Sequence, residues 1–225
     1  MSECTSSEPR LGFWSALSVF AIGVAYLLTG IAWFVAGGSN SPEPMQPTEP
    51  YLAILEILIL LSAPALVVLM VAVHAYAPHG RKSWALAALA FMIIFALLTS
   101  SAHFVQLTVV RQLRSANLPV PDILRFNPWP SIVLALDLFA WDFFLGLSLL
   151  FAAPVFVGGG LHAAVRAGLL LGGTLCVAGV FGPGLGQMQL QYLATFGYAV
   201  VLPITCALLA ILFRKETESG SSPLS

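Results

Sequence analysis

The sequence contains six long apolar runs, near residues 13–37, 51–76, 84–110, 131–157, 163–183 and 190–213. Each run has the length of about 20 residues that an α-helix needs to cross the hydrocarbon of a bilayer. Only 8% of the residues are charged, whereas a soluble globular domain carries about 25%. Unpaired backbone groups are costly in lipid, so spans of this kind fold as helices. We therefore predict an all-α, polytopic membrane helix bundle with six transmembrane helices.

Charged residues lie mainly in the tails and short loops, and they predict the domain limits and the orientation. We expect a cytoplasmic tail over residues 1–12, a single six-helix transmembrane domain over 13–213 and a disordered cytoplasmic tail over 214–225. Lys and Arg are retained on the cytoplasmic side of membranes. Six of the nine fall on the side of the termini, so both termini are predicted to be cytoplasmic, as in a bacterial inner membrane or another cytoplasm-facing membrane. The six are Arg10, Arg81, Lys82, Arg166, Arg214 and Lys215, and the other three are Arg111, Arg114 and Arg125.

The net charge of −1 gives no basic field for nucleic acid. Membrane lipids are the expected partners, together with a lipophilic small-molecule ligand. Three cysteines show no metal or disulfide spacing, so neither a metal site nor a cofactor is predicted. The sequence also lacks the HExxH, Walker and GxSxG motifs.

The fourth run carries two acids, Asp137 and Asp142, within the stretch Ser131 to Pro154. An ionisable side chain in the hydrocarbon costs at least about 2.5 kcal/mol, so such residues are rare and usually face a bundle interior or a wet cavity. Five residues at about 100° each place the two acids roughly 140° apart around the helix. We expect Asp137, which shares its face with Trp141, to point to a central cavity and Asp142 to meet a neighbouring helix.

Further polar residues are predicted at the same depth, in the half of the bundle away from the termini. Some align in stripes, such as Thr99, His103 and Gln106 at i, i+4 and i+7. Such stripes face inward because unpaired polar atoms are costly in lipid. The predicted catalytic residues are Glu56, His103, Asp137 and Asp142. The predicted ligand-binding residues are Tyr26, Gln106, Trp141, Gln191 and Thr195.

Carboxyls and an imidazole in a dry pocket are the components of a general acid and base. The sequence therefore favours a polar pocket that binds a small lipophilic molecule, such as a lipid or an isoprenoid, and transforms it by acid/base chemistry. Two alternatives remain open. One is a proton-coupled transporter for a small solute, in which the same carboxyls load and release protons. The other is a membrane assembly or sensory subunit without chemistry, in which the polar residues hold the helices in register.

Overall fold

The computed structural model describes residues 7–37, 47–126 and 129–220, and all of their regular secondary structure is helical. Six helices are long and apolar enough to cross a membrane, which confirms the all-helical prediction and its helix count for this part of the chain. They are α1 (Ser7–Val35), α2 (Tyr51–Tyr76), α3 (His79–Ser115), α4 (Ile132–Val155), α5 (Leu161–Leu185) and α6 (Met188–Ser219).

The six helices form a closed ring, since each packs on the helices before and after it in the sequence and α6 packs on α1. Gly12 of α1 lies against the ring of Phe213 in α6. Tyr76 packs edge-on against the same ring, with centroids 5.7 Å apart, and its hydroxyl lies 2.7 Å from Nε2 of His162. We call this end of the bundle the terminal face. The opposite end, which carries the α1–α2, α3–α4 and α5–α6 connections, is the distal face.

An apolar core fills the half of the ring next to the terminal face. Its largest side chains are fully buried, and dispersion contacts among them hold the helices together. Lipid tails are as apolar as these side chains, so close packing rather than escape from water provides the stabilisation in a bilayer. The core includes Leu69, Met70, Phe95, Leu149, Phe156, Leu169, Leu209 and Phe213.

Small residues allow α4 and α5 to approach closely. A Cβ atom added at Gly173 would lie 2.8 Å from the carbonyl oxygen of Gly146, and one added at Gly146 would lie 3.1 Å from the carbonyl oxygen of Gly173. Close approach of this kind is typical of packed membrane helices. Gly30 in α1 differs, because nothing lies within 4 Å of the position of its Cβ.

Three helices contain a π-helical segment in the distal half of the bundle. Residues Gln106–Val110 of α3, Phe139–Leu145 of α4 and Gly197–Val201 of α6 are π-helical. Such segments are rare and occur frequently at functional sites. They also shift the direction of the side chains that follow, so a strict 3.6-residue period does not describe these helices.

The helix ends extend beyond the apolar runs. The third helix continues to Ser115, and α1 begins at Ser7, inside the predicted tail of residues 1–12. Residues 214–220, which we expected to be disordered, continue the last helix as far as Gly220. The pair formed by Arg214 Nε and Glu218 Oε1, 2.9 Å apart at i and i+4, supports a helix in water. Residues 1–6 and 221–225 lie outside the described residues.

Candidate functional site

A cavity of about 350 Å³ lies inside the ring, in its distal half. Helices α1, α2, α3, α4 and α6 all contribute to its wall, which is mostly aliphatic. The volume is at the lower end of the range of about 300–1,000 Å³ that is usual for small-molecule sites. The polar or aromatic side chains of the wall are Tyr26, Glu56, Ser62, His103, Gln106, Arg114, Phe126, Asp137, Trp141 and Tyr198.

An imidazole between two carboxyl groups forms the centre of the polar wall. Nδ1 of His103 lies 2.5 Å from Oε2 of Glu56, so α2 and α3 are joined by a buried pair. On the other side of the ring, Nε2 lies 3.4 Å from Oδ1 of Asp137 in α4 and has no hydrogen-bond partner. Three helices therefore place two acids and one imidazole in a single row.

Asp137 is held in place by two further donors. The hydroxyl of Thr99 donates to Oδ1 of Asp137 at 2.8 Å, and the indole Nε1 of Trp141 donates to the same oxygen at 3.2 Å and to Thr99 Oγ1 at 2.9 Å. Together these two hydrogen bonds fix the carboxyl relative to the imidazole. The side chain of Asp137 is 14% exposed, compared with 4% for Glu56 and 6% for His103. Asp137 is therefore the most accessible of the three.

Aromatic rings enclose the row of charged groups. The ring of Phe126, which precedes α4 in the chain, lies 5.0 Å from the His103 ring between centroids. Trp141 contacts the ring of Tyr198 in α6 at 4.8 Å and the ring of Phe95 at 4.9 Å. These rings limit the access of water to the imidazole, and in such surroundings electrostatic interactions are stronger than in water.

Two polar residues line the cavity toward the distal face. Nε2 of Gln106 donates to the carbonyl oxygen of Leu124 at 2.6 Å and so attaches the α3–α4 connection to α3. Arg114, one helical turn beyond the π-helical segment, also lines the cavity. The distal end of the cavity therefore has a cation in its wall, while its middle has two acids.

Asp142 does not line this cavity. It is 1% exposed, and its Oδ2 accepts a hydrogen bond of 2.7 Å from Nε2 of Gln191 in α6. Asp137 and Asp142 thus face different sides of α4, which is what the helical spacing predicts. Gln191 is also away from the cavity, because its amide is directed to Asp142.

Thr195 lies on the exposed side of α6, contrary to the expectation that it lines the pocket. Its hydroxyl donates to the carbonyl oxygen of Gln191 at 2.9 Å and lies 3.0 Å from the Tyr198 hydroxyl. A threonine that bonds to its own helix can face lipid at little cost, so its polarity does not indicate an inward direction. Tyr198, three residues later and inside the π-helical segment, does line the cavity.

The site residues that the sequence predicted are therefore divided into three groups. Six of them line the cavity, namely Tyr26, Glu56, His103, Gln106, Asp137 and Trp141. Asp142 and Gln191 form a separate pair, and Thr195 is exposed. Sequence reasoning left Thr99, Phe126 and Tyr198 out of the site. Thr99 shares the polar stripe of His103 and Gln106, and Tyr198 follows Gln191 and Thr195 at the same spacing of i, i+4 and i+7, so the helical period could have indicated both. Phe126 is brought to the imidazole by the fold of a connection.

The described residues contain no group of three or more His, Cys, Asp and Glu side chains arranged to hold a metal ion. The row of Glu56, His103 and Asp137 has a different geometry, because each acid faces a different nitrogen of the imidazole. An imidazole donates from both nitrogens only when it carries two protons. The row is thus suited to holding and moving a proton.

The six apolar helices are compatible with a multi-pass membrane protein, and the cavity in their distal half, with its row of charged groups, is the candidate site. In comparisons with known proteins, the chain matches no protein-family model, no curated protein and no solved structure.

Proposed function

We propose that the cavity binds a small lipophilic molecule, such as a lipid or an isoprenoid, and that Glu56, His103 and Asp137 act on it by acid/base chemistry. The observation that carries the proposal is the row of two carboxyls and one imidazole in the wall of an otherwise largely aliphatic cavity. An aliphatic wall selects an apolar ligand, while the row supplies the only acids in that wall among the described residues.

The aliphatic part of the wall supports the ligand class. It is formed by side chains from α1 and α2 such as Val19, Ile22, Leu52, Leu55, Ile59 and Leu66. Transfer of apolar surface into such a site is favourable by about 25 cal/mol per Å² when the ligand comes from water. A ligand that comes from the membrane instead gains close packing and any polar contact that it makes to the row.

The positions of the three titratable groups suggest their roles. Asp137 is the most accessible, so it is the group that would give a proton to the ligand or take one from it. His103 would act as its partner, and Glu56, on the far side of the ring, would fix the orientation and tautomer of the imidazole. Trp141 would form a wall that stabilises positive charge on a ligand or intermediate. Protonation of a carbon–carbon double bond is one reaction that these side chains would support.

Native mass spectrometry of the detergent-purified protein tests the binding site. We compare wild type with Asp137→Asn, and we use Asp142→Asn as a matched control, since it makes the same change on the same helix outside the cavity. We expect a small lipophilic species on wild type and on Asp142→Asn, and its loss from Asp137→Asn. Retention of the species by a folded Asp137→Asn variant would contradict the assignment.

Turnover is tested with the species that co-purifies. We expect Glu56→Gln and Asp137→Asn to remove its conversion while circular dichroism shows an unchanged helix content. If the variants keep full turnover, the row is not an acid/base centre. If wild type carries no species and both variants are merely less stable, the role of an assembly or sensory subunit is the better description.

A proton-coupled transporter is the second candidate. Buried acids in two separate places, Asp137 at the cavity and Asp142 beside α5 and α6, favour it because proton relays in transporters use chains of such acids. In reconstituted vesicles this function predicts solute-linked proton flux that Asp137→Asn removes. Absence of proton flux under an imposed pH gradient would count against it.

The orientation is also a proposal: the terminal face is cytoplasmic, in a bacterial inner membrane or a comparable membrane. The excess of Lys and Arg at that face supports it. Reporter fusions after residue 225 and within the α1–α2 connection test it, with cytoplasmic activity expected only for the first. The reverse pattern would overturn the assignment.

A further inference from the structure

A second cavity, of about 170 Å³, lies beside α4 and α5 in the distal half of the bundle. We call it the α4–α5 cavity. Its wall includes Trp129, Leu138, Asp142, Val180 and Pro183. Asp142 is the only titratable group in this wall among the described residues, and the neighbouring side chains are apolar. The proposed acid/base row does not use it.

Two buried oxygen atoms beside this cavity have no hydrogen-bond partner. They are Oδ1 of Asp142 and Oε1 of Gln191, while the remaining polar atoms of the two side chains, Oδ2 and Nε2, bond to each other at 2.7 Å. When the carboxyl is ionised, both of these oxygen atoms can only accept a hydrogen bond. Buried polar groups without partners are rare because each costs about 1–3 kcal/mol. The pair therefore lacks a donor.

The charges around Asp142 do not compensate an ionised carboxyl. The titratable groups near enough to interact with it are Asp137 on its own helix, Cys176 on α5 and Tyr198 on α6. None of them is a cation, and no Lys, Arg or His within the described ranges forms an ion pair with Asp142. His103, the member of the row that can carry a positive charge, is directed to Glu56 and Asp137. An unpaired buried charge is far more costly than a neutral carboxylic acid in the same place.

Room for the missing donor is present only on the side of the α4–α5 cavity, whose wall includes Asp142. On the other side Gly179 of α5 packs tightly against the pair, since a Cβ atom at this position would overlap Ala194 and lie 2.8 Å from Gln191 Oε1 and 3.2 Å from Asp142 Oδ2. The α4–α5 cavity is much larger than the roughly 10–15 Å³ that one water needs. Water therefore reaches the carboxyl from the cavity and not from the α5 side.

We propose that Asp142 and Gln191 form a proton-binding site, in which Asp142 is held as the neutral acid and exchanges its proton with water in the α4–α5 cavity. On binding, an O–H bond forms at Oδ1 and a hydronium ion becomes water; release is the reverse. The proton converts Oδ1 from an acceptor without a partner into a donor. Gln191 stabilises the acid by donating to Oδ2.

Infrared spectroscopy of the full chain in lipid at neutral pH tests this site. A protonated carboxyl has its own C=O stretching band, which moves to lower frequency in D₂O when water can exchange the proton. We expect in wild type a band of this kind that is lost in Asp142→Asn and retained in Asp137→Asn. We also expect Gln191→Leu to keep the band but shift its frequency, because the acid loses the amide donor.

The possible results of this experiment distinguish a proton bound at Asp142 from other occupants of the site. A wild-type spectrum identical to that of a folded Asp142→Asn variant would overturn the proposal. If Asp142→Asn does not fold, the Gln191→Leu variant decides, and an unshifted band is then the contrary result. The spectra are recorded in choline chloride and again in sodium chloride. Loss of the band in sodium chloride would identify a sodium ion, instead of a proton, as the ion bound at Asp142. The lipophilic ligand of the main cavity is detected by mass spectrometry and the proton of Asp142 by infrared spectroscopy. Either proposal can therefore fail without the other.

Discussion

Nδ1 of His103 lies 2.5 Å from Oε2 of Glu56, and this pair joins α2 to α3 in the wall of the main cavity. Each side chain is almost fully buried, so neither can exchange its partner for water. The structural and chemical roles of the pair are therefore linked. A variant that disturbs the proposed chemistry is also expected to disturb the packing of the two helices.

A double-mutant cycle on Glu56 and His103 measures this link. Removing one partner of a buried pair leaves an uncompensated polar group and costs about 3–5 kcal/mol. We expect Glu56→Leu and His103→Leu each to lower the free energy of unfolding by an amount in this range. We expect the double variant to lose less than the sum, since it leaves no unpaired partner. The measurement is unfolding in mixed micelles. Additive losses would show that the contact does not couple the helices.

The pair of Arg111 and Glu49 at the distal face is the matched control. Its Nε–Oε1 distance is 3.0 Å, but the side chains are about half exposed, at 52% and 45%. Exposed ion pairs contribute about 0–1 kcal/mol because water and salt screen them. We therefore expect Arg111→Gln to change the free energy of unfolding by less than about 1 kcal/mol.

Thr99→Val tests the network that holds Asp137. The substitution keeps the volume but removes the donor to Asp137 Oδ1 and the acceptor for Trp141 Nε1. Hydrogen bonds between membrane helices contribute about 0.6 kcal/mol on average and up to about 1.7 kcal/mol. We expect a loss toward the upper value and weaker binding of the lipophilic ligand. Thr108→Val is the control, since among the described residues its hydroxyl bonds only to the carbonyl of Phe104 in the same helix. Equal effects of the two variants would contradict the role of Thr99.

Gly173→Ala tests the close approach of α4 and α5. The added methyl would lie 2.7 Å from Leu150 Cγ and 2.8 Å from the Gly146 carbonyl oxygen, and the backbone atom cannot give way. Overpacking of this kind costs about 1–3 kcal/mol in the free energy of unfolding. Gly30→Ala, where nothing lies within 4 Å, should be neutral or stabilising by up to about 1 kcal/mol because alanine favours the helix. Thermal unfolding of both variants checks the difference. A stable Gly173→Ala variant would show that the helices separate without loss.

Lys82→Met tests the connection between α2 and α3 at the terminal face. Nζ of Lys82 donates to the carbonyl oxygens of His74 and Ala75 at 2.6 and 2.8 Å, where α2 ends. A cation at the C-terminus of a helix stabilises it by up to about 2 kcal/mol in partly buried geometries. We expect Lys82→Met to lose about this amount. Lys215→Met, on the exposed side of α6, should change the free energy of unfolding by less than about 0.5 kcal/mol. Hydrogen exchange at the last turn of α2 provides the measurement, with faster exchange expected only for Lys82→Met.

The sequence predicted the helices because their signal is local. Apolar length alone requires a helix in a bilayer, so the number of helices and the approximate position of each follow from composition. The ends were less certain because polar side chains can continue a helix in water. Arg214 and Glu218 extend the last helix in this way by forming an ion pair. A hydropathy pattern does not reveal such a pair.

The sequence by itself also determined that polar side chains gather in one half of the bundle, since depth follows from the count of residues along each helix. Only the tertiary structure decided which of them meet. The ring order of the helices brings Glu56, His103 and Asp137 into one row and directs Asp142 to Gln191. The physical reason is that a side chain's direction depends on helix rotation, which the π-helical segments alter, and on the neighbour that packing selects. Neither quantity is encoded in the local pattern of any one helix.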